Sequence, residues 1–161
     1  MAGYNVEIRT VGPVLVASMR ESIPDFGAIG SSMNRMYNEV VSYIGEQNGN
    51  IVGRGITIWH DSLDAEAALP VDKPLPGGDR VGVRELPGGE MACLVHHGPF
   101  DGFRGAYEAL RHWIRENGYR ISGPGREVYL KFAPDGNPED FVTEIRFPVA
   151  SLLGHPGVSF E

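Results

Sequence analysis

The sequence predicts an α+β fold built from two copies of one β-α-β-β unit, with a mostly antiparallel sheet. Three observations predict it. Gly53-Arg54-Gly55-Ile56-Thr57-Ile58-Trp59 is answered seventy positions on by Gly123-Pro124-Gly125-Arg126-Glu127-Val128-Tyr129. Glu66-Ala67-Ala68-Leu69-Pro70-Val71 is answered by Glu144-Ile145-Arg146-Phe147-Pro148-Val149, seventy-eight positions on. Each block also follows a helix-like stretch that ends in Asn-Gly, at Asn48-Gly49 and Asn117-Gly118. The half-repeats run over about 4–71 and 81–149. One such half has little core of its own, so the two are expected to bury their sheets together as a single domain. A doubled unit of this kind leaves a groove on its pseudo-twofold axis.

The elements follow from periodicity. Val6 to Thr10 alternates apolar and polar, the mark of a half-buried strand, and Val14 to Arg20 reads as the next extended segment after a turn or bulge at Gly12-Pro13. From Ser31 to Gln47, Met33, Met36, Tyr37, Val40, Val41 and Ile44 recur at helical spacing until Gly49 stops the helix. Ile51 to His60 and Ala65 to Val71 complete the first half, with His60-Asp61 as a turn and Pro70 suggesting a strand end or edge. Residues 72–79 form the linker. In the second half Val81 to Leu86, a turn at Pro87-Gly88-Gly89, and Glu90 to His96 repeat the pair of strands. Phe103, Tyr107, Leu110 and Ile114 mark the second helix, and Arg126 to Phe132 and Val142 to Val149 the last two strands. Residues 150–161 have no counterpart in the first half and read as an appended tail.

Composition narrows the function. The chain has 161 residues, 42% hydrophobic and 22% charged, as an ordinary globular protein does. Its 21 acidic against 14 basic residues give a net charge of -7, which argues against direct nucleic-acid binding. The lone Cys93 excludes an internal disulfide framework. No signal peptide precedes Tyr4, and no apolar run approaches the roughly 20 residues of a membrane span, so a cytoplasmic location is expected. Adjacent strand residues point to opposite faces, so His96 and His97 cannot readily share an ion; neither a metal nor a cofactor is expected.

Strand alternation then gathers candidate site residues. Glu127 and Tyr129 share a face, with Thr57 and Trp59 as their counterparts, and Trp59 and Tyr129 are placed to sandwich a flat ligand across the axis. Glu144 shares a face with Arg146; a Glu144–Arg146 pair without a ligand is the alternative, and Glu66 reads as a solvated glutamate. A carboxylate among aromatic rings suits a lipophilic cation, and a partly desolvated one also serves as a general base, so one residue serves two functions. Trp113 and Tyr37 on the helices could reach the groove, whereas Tyr107 reads as core.

The order of these motifs resembles the GyrI-like, or bacterial effector-binding, domain. The resemblance is carried by the strand-turn-strand near each start, Gly98-Pro99-Phe100 before a helix, Glu127-Val128-Tyr129, and Thr143 to Val149, and it spans about Tyr4 to Val149. It implies a tandem of SHS2-like halves around a ligand groove. Such domains are the drug-sensing part of MerR- and AraC-type regulators and also occur free-standing, including a gyrase-inhibitory member. Some free-standing relatives hydrolyse the cyclopropane of DNA-alkylating natural products. The family's pocket glutamate on the final strand and its nearby aromatic residue carry over to Glu144 and Tyr129, with Phe100 added as a ligand contact. The regulators' DNA-binding half is not seen, so an autonomous transcription factor is not expected. The resulting expectation is a binding protein for lipophilic, aromatic, cationic compounds. The alternative is a hydrolase adding water to cyclopropyl-pyrroloindole compounds, with Glu144 and Tyr129 as its catalytic residues.

Overall fold

The computed structural model of the protein describes residues 3–133 and 135–153. Among these residues nine strands and two α-helices follow in the order β1 (Val6–Val11), β2 (Val14–Ser22), α1 (Ile29–Glu46), β3 (Ile56–Asp61), β4 (Asp64–Pro70), β5 (Gly82–Leu86), β6 (Gly89–His97), α2 (Phe103–Glu116), β7 (Tyr119–Ile121), β8 (Gly125–Lys131) and β9 (Val142–Ser151). The sheet is antiparallel throughout, in the order β1-β6-β9-β8-β3-β4-β2-β5, with β7 pairing the end of β9. It curls into a half-barrel with both helices on its outer side, which is the α+β duplication that the sequence predicts.

The predicted turns at Gly12-Pro13 and Pro87-Gly88 do not make hairpins. β1 pairs with β6, and β2 with β5. In both ladders the paired residue numbers add to 100, as in Val6 with Leu94 and Val14 with Leu86. The segments 6–22 and 82–97 are therefore two long bent strands that cross at their bends. Each repeat lends its first strand to the other, so neither half is closed without its partner. The crossing is tight at Gly88, where an added Cβ would fall on Val11 O and lie 2.7 Å from Gly12 C.

Alternation sorts every strand into an outer and an inner face. On the outer face, α1 packs Met33, Met36, Val40 and Ile44 on Ala17, Met19, Ala65, Ala67 and Leu69. α2 packs Ala106, Leu110 and Ile114 on Ala92, Leu94, Ile145, Phe147 and Val149. The inner face holds Val16, Ile56, Ile58, Ala68, Leu86 and Val128, and beside them two buried glutamates. Glu66, read from the sequence as solvated, is only 3% exposed and accepts hydrogen bonds from Ser18 Oγ, Arg84 and the ring of His60. Burial opposes its charge, but Arg84, Ser18 and His60 outweigh that and hold its pKa down to about 2. His60 and Asp61 accordingly lie within β3 rather than in a turn.

Other boundaries move for local reasons. Strand β4 is central rather than an edge, and Pro70 ends it. Ala150 and Ser151, expected to begin a tail, extend β9 because β7 offers Arg120 and Tyr119 as partners. Residues 154–161 of that expected tail lie outside the described residues. Among the described residues no helix is long and apolar enough to cross a membrane.

The crossing generates a prediction. Gly88→Ala should cost about 2 kcal/mol or more, because backbone rather than a flexible side chain must give way. Gly12→Ala, whose Cβ meets nothing within 4 Å, should stay within about 0.5 kcal/mol of the parent in urea unfolding.

Candidate ligand-binding site

The central ladder joins β3 to β8, and its paired residue numbers add to 184. With a repeat offset of seventy, one pair consists of a residue and its own counterpart: Thr57 opposite Glu127. The pseudo-twofold axis passes through that pair, on the outer face, in the groove between α1 and α2.

Glu127 is 6% exposed, and both its oxygens are occupied. Trp59 Nε1 donates to Oε2 at 2.9 Å and the Tyr107 hydroxyl to the same oxygen at 2.6 Å, while the Tyr129 hydroxyl donates to Oε1 at 3.0 Å. Because Tyr129 spends its proton on the carboxylate, Thr57 Oγ1 donates to Tyr129 at 2.7 Å and Tyr37 donates to Thr57 at 2.8 Å. The axis thus carries a directed chain, Tyr37 to Thr57 to Tyr129 to Glu127. Burial raises the Glu127 pKa above the ordinary carboxylate value, against the opposing pull of the Tyr107, Tyr129 and Trp59 donors. Burial, followed by the charge of Glu127, also raises the pKa of Tyr107 and Tyr129, so both stay protonated donors.

A cleft of about 700 Å³ opens on the Trp59 side of this network. Trp59, Glu127, Gly125 and Phe147 form its floor, Tyr107 and Arg111 of α2 one wall, and Phe26, in the 3-10 turn before α1, with Ile29, its first residue, the other. Gly125 leaves room for the Phe147 ring, which would have to shift to admit a Cβ only 2.8 Å away.

The other side of the axis is differently furnished. There Phe100 packs on Tyr129 at 5.8 Å and Phe132 on Phe141 at 4.8 Å between ring centres, filling the space around Tyr129. Two asymmetries account for this. α1 is α-helical from Ile29, whereas the corresponding residues ahead of α2 form Pro99 and a 3-10 turn carrying Phe100, and the longer β8–β9 connection supplies Phe132 and Phe141.

Of the residues expected at the site, Trp59, Tyr129 and Tyr37 meet on the axis network, and Phe100 packs beside Tyr129. Trp59 and Tyr129 converge on one carboxylate rather than forming a sandwich. Trp113 is not brought there; it stacks on Tyr119, 6.1 Å away, at the far end of α2. Glu144 lies on the inner face, 7% exposed, ion-paired with Arg9 and with Arg146 at 2.5 Å. The reason is alternation: Ile145, Phe147 and Val149 face α2, which turns Glu144 and Arg146 inward. Glu127 and Tyr107 are the functional candidates that the sequence reading under-weighted. The seventy-residue offset relates Tyr107 to Tyr37 and carries the signal that both tyrosines serve the axis. Among the described residues, no group of His, Cys, Asp and Glu is arranged to hold a metal ion.

A duplicated helix-and-sheet fold with an aromatic cleft over a buried carboxylate defines a small-molecule binding module. Residues 4–150 match the GyrI-like small molecule binding domain, and the chain belongs to that family. Among curated proteins the sequence has no match. The fold is similar to EcmrR in a DNA complex, with a TM-score of 0.81 and 24% identity over 92% of this chain and 58% of that one. The chain thus spans little more than half of that protein, whose separate C-terminal domain gives 0.76 and 24% over 92% and 98%. It is also similar to a hydrolase from Listeria innocua, at 0.63 and 16% over 90% and 91%. SAV2435 bound to tetraphenylphosphonium gives 0.60 and 18% over 92% and 95%. At these identities the likeness is one of fold.

The raised pKa of Glu127 has a signed consequence. Folded Glu127 holds its proton more tightly than the unfolded chain does. Its stabilising effect is present below the ordinary value of about 4.3 and is lost as pH rises through the raised one. Relative to Glu127→Gln, the parent should lose about 1.4 kcal/mol for each unit by which that pKa is raised, in urea unfolding across this pH range.

Proposed function

We propose that the protein binds lipophilic aromatic cations in the cleft between α1 and α2, with Glu127 as the countercharge. The observation that carries this reading is the buried carboxylate on the axis, ringed by Trp59, Tyr107 and Tyr129 and floored on an open cleft. A carboxylate that is itself buried is screened less by water, so it attracts a cation a few ångströms away more strongly than a surface carboxylate does. Ring faces add cation–π attraction and apolar area. Trp59 and Phe147 supply that area, and Tyr37, Thr57 and Tyr129 hold the carboxylate from behind. A cation-binding relative of the same fold is consistent with this chemistry: SAV2435 is bound to tetraphenylphosphonium.

Ring-opening hydrolysis is the second reading, and the same group favours it. A desolvated carboxylate with raised proton affinity is a better base for water, and the tyrosine hydroxyls are donors for a developing oxyanion. The catalytic pair would then be Glu127 with Tyr107 or Tyr129, since Glu144 is committed to Arg9 and Arg146 on the inner face.

Titration calorimetry with tetraphenylphosphonium and with neutral triphenylphosphine oxide separates these roles. Glu127→Gln should weaken the cation about tenfold or more and the neutral compound about threefold at most. Affinity of the parent for the cation should rise with pH through the raised Glu127 pKa, because the ionised form binds. Equal losses for both compounds would remove Glu127 as countercharge. Incubation with a cyclopropyl-pyrroloindole, followed by mass spectrometry, should return the compound unchanged; catalytic gain of one water would establish the second reading instead.

A further inference from the structure

Arg111 is placed where a ligand's cation would sit. Along α2, Arg104, Tyr107, Glu108 and Arg111 form one stripe facing the cleft. Arg104 is paired with Glu108 at 3.3 Å, so its charge is balanced on the helix itself. Arg111 has no such partner: among the described residues no carboxylate forms an ion pair with it. Its guanidinium carbon lies instead 5.4 Å from the centre of the Tyr107 ring and 5.1 Å from that of Phe147. Both rings line the cleft, and both are fixed from behind, Tyr107 by its hydrogen bond to Glu127 and Phe147 by its seat over Gly125.

We propose that Arg111 is a resident cation that sets the charge selectivity of the cleft. In this structure it occupies the aromatic seat over Tyr107 and Phe147, beside the Glu127 countercharge. A cationic ligand must displace the guanidinium and is repelled by it on approach. A neutral ligand of the same shape can share the cleft with it. Arg111 thereby holds affinity for cations below what the rings and Glu127 alone would give. This inference rests on the cleft being the ligand site, as proposed above.

The test replaces Arg111 by Met, which keeps an unbranched side chain over the rings and removes the charge, and by Lys, which keeps a charge. Parent, Arg111→Met, Arg111→Lys and Glu127→Gln proteins are titrated with tetraphenylphosphonium and triphenylphosphine oxide. Arg111→Met should bind the cation about fivefold or more tightly than the parent, the size expected for vacating a partly exposed cation–π seat, and the neutral compound within about twofold. Arg111→Lys should stay within about threefold of the parent for both. An unchanged cation-to-neutral ratio in Arg111→Met, or weaker binding of both compounds, overturns the inference. If Glu127→Gln still discriminates against the cation in that case, the ligand site itself stands. Parent and Arg111→Met both failing to bind either compound removes the ligand site and this inference together.

Discussion

A carboxylate buried on a pseudo-twofold axis is the constraint around which the site is arranged. Glu127 cannot be left without partners in that position, since an uncompensated buried charge costs several kcal/mol. Trp59, Tyr107 and Tyr129 answer it from β3, α2 and β8. Thr57 and Tyr37 then complete the chain of donors from the opposite strand and from α1. The same hydrogen bonds that satisfy the carboxylate therefore fix the rings that line the cleft and tie both helices to the central ladder.

Duplication explains where this network sits, and departure from duplication explains why the two sides of the axis differ. The axis demands that a residue face its own counterpart, and the pair is unlike: Glu127 opposite Thr57. The charge is thus on one side only. The first turn of α1 walls the cleft beside Trp59, while Phe100, Phe132 and Phe141 fill the corresponding region around Tyr129. The exchange of β1 and β5 between halves holds this arrangement, because the crossing at Gly88 ties the two ends of the curled sheet.

Much of this was legible in the residues. The two offsets revealed the repeat, and alternation correctly put Glu127 and Tyr129 on one face with Thr57 and Trp59 opposite. Which strands are neighbours was not legible, since a period of two reports faces and not partners; the crossing bends at Gly12-Pro13 and Pro87-Gly88 carry the same turn chemistry as hairpins. Glu144 was expected at the site because the family resemblance carries the pocket glutamate to the final strand. Its neighbours Ile145, Phe147 and Val149 are what send it inward, for they need α2 as cover. Tyr107 and Tyr37 were both visible, but helical spacing alone does not separate a core tyrosine from one whose hydroxyl reaches a buried acid.

The most direct test is a carbon-13 NMR titration of the Glu127 side-chain carboxyl, without and with tetraphenylphosphonium. A carboxylate buried in the free protein and neutralised by a bound cation should titrate above the ordinary carboxylate range alone, and at lower pH once the cation is present. An ordinary pKa that the cation leaves unmoved would contradict the account.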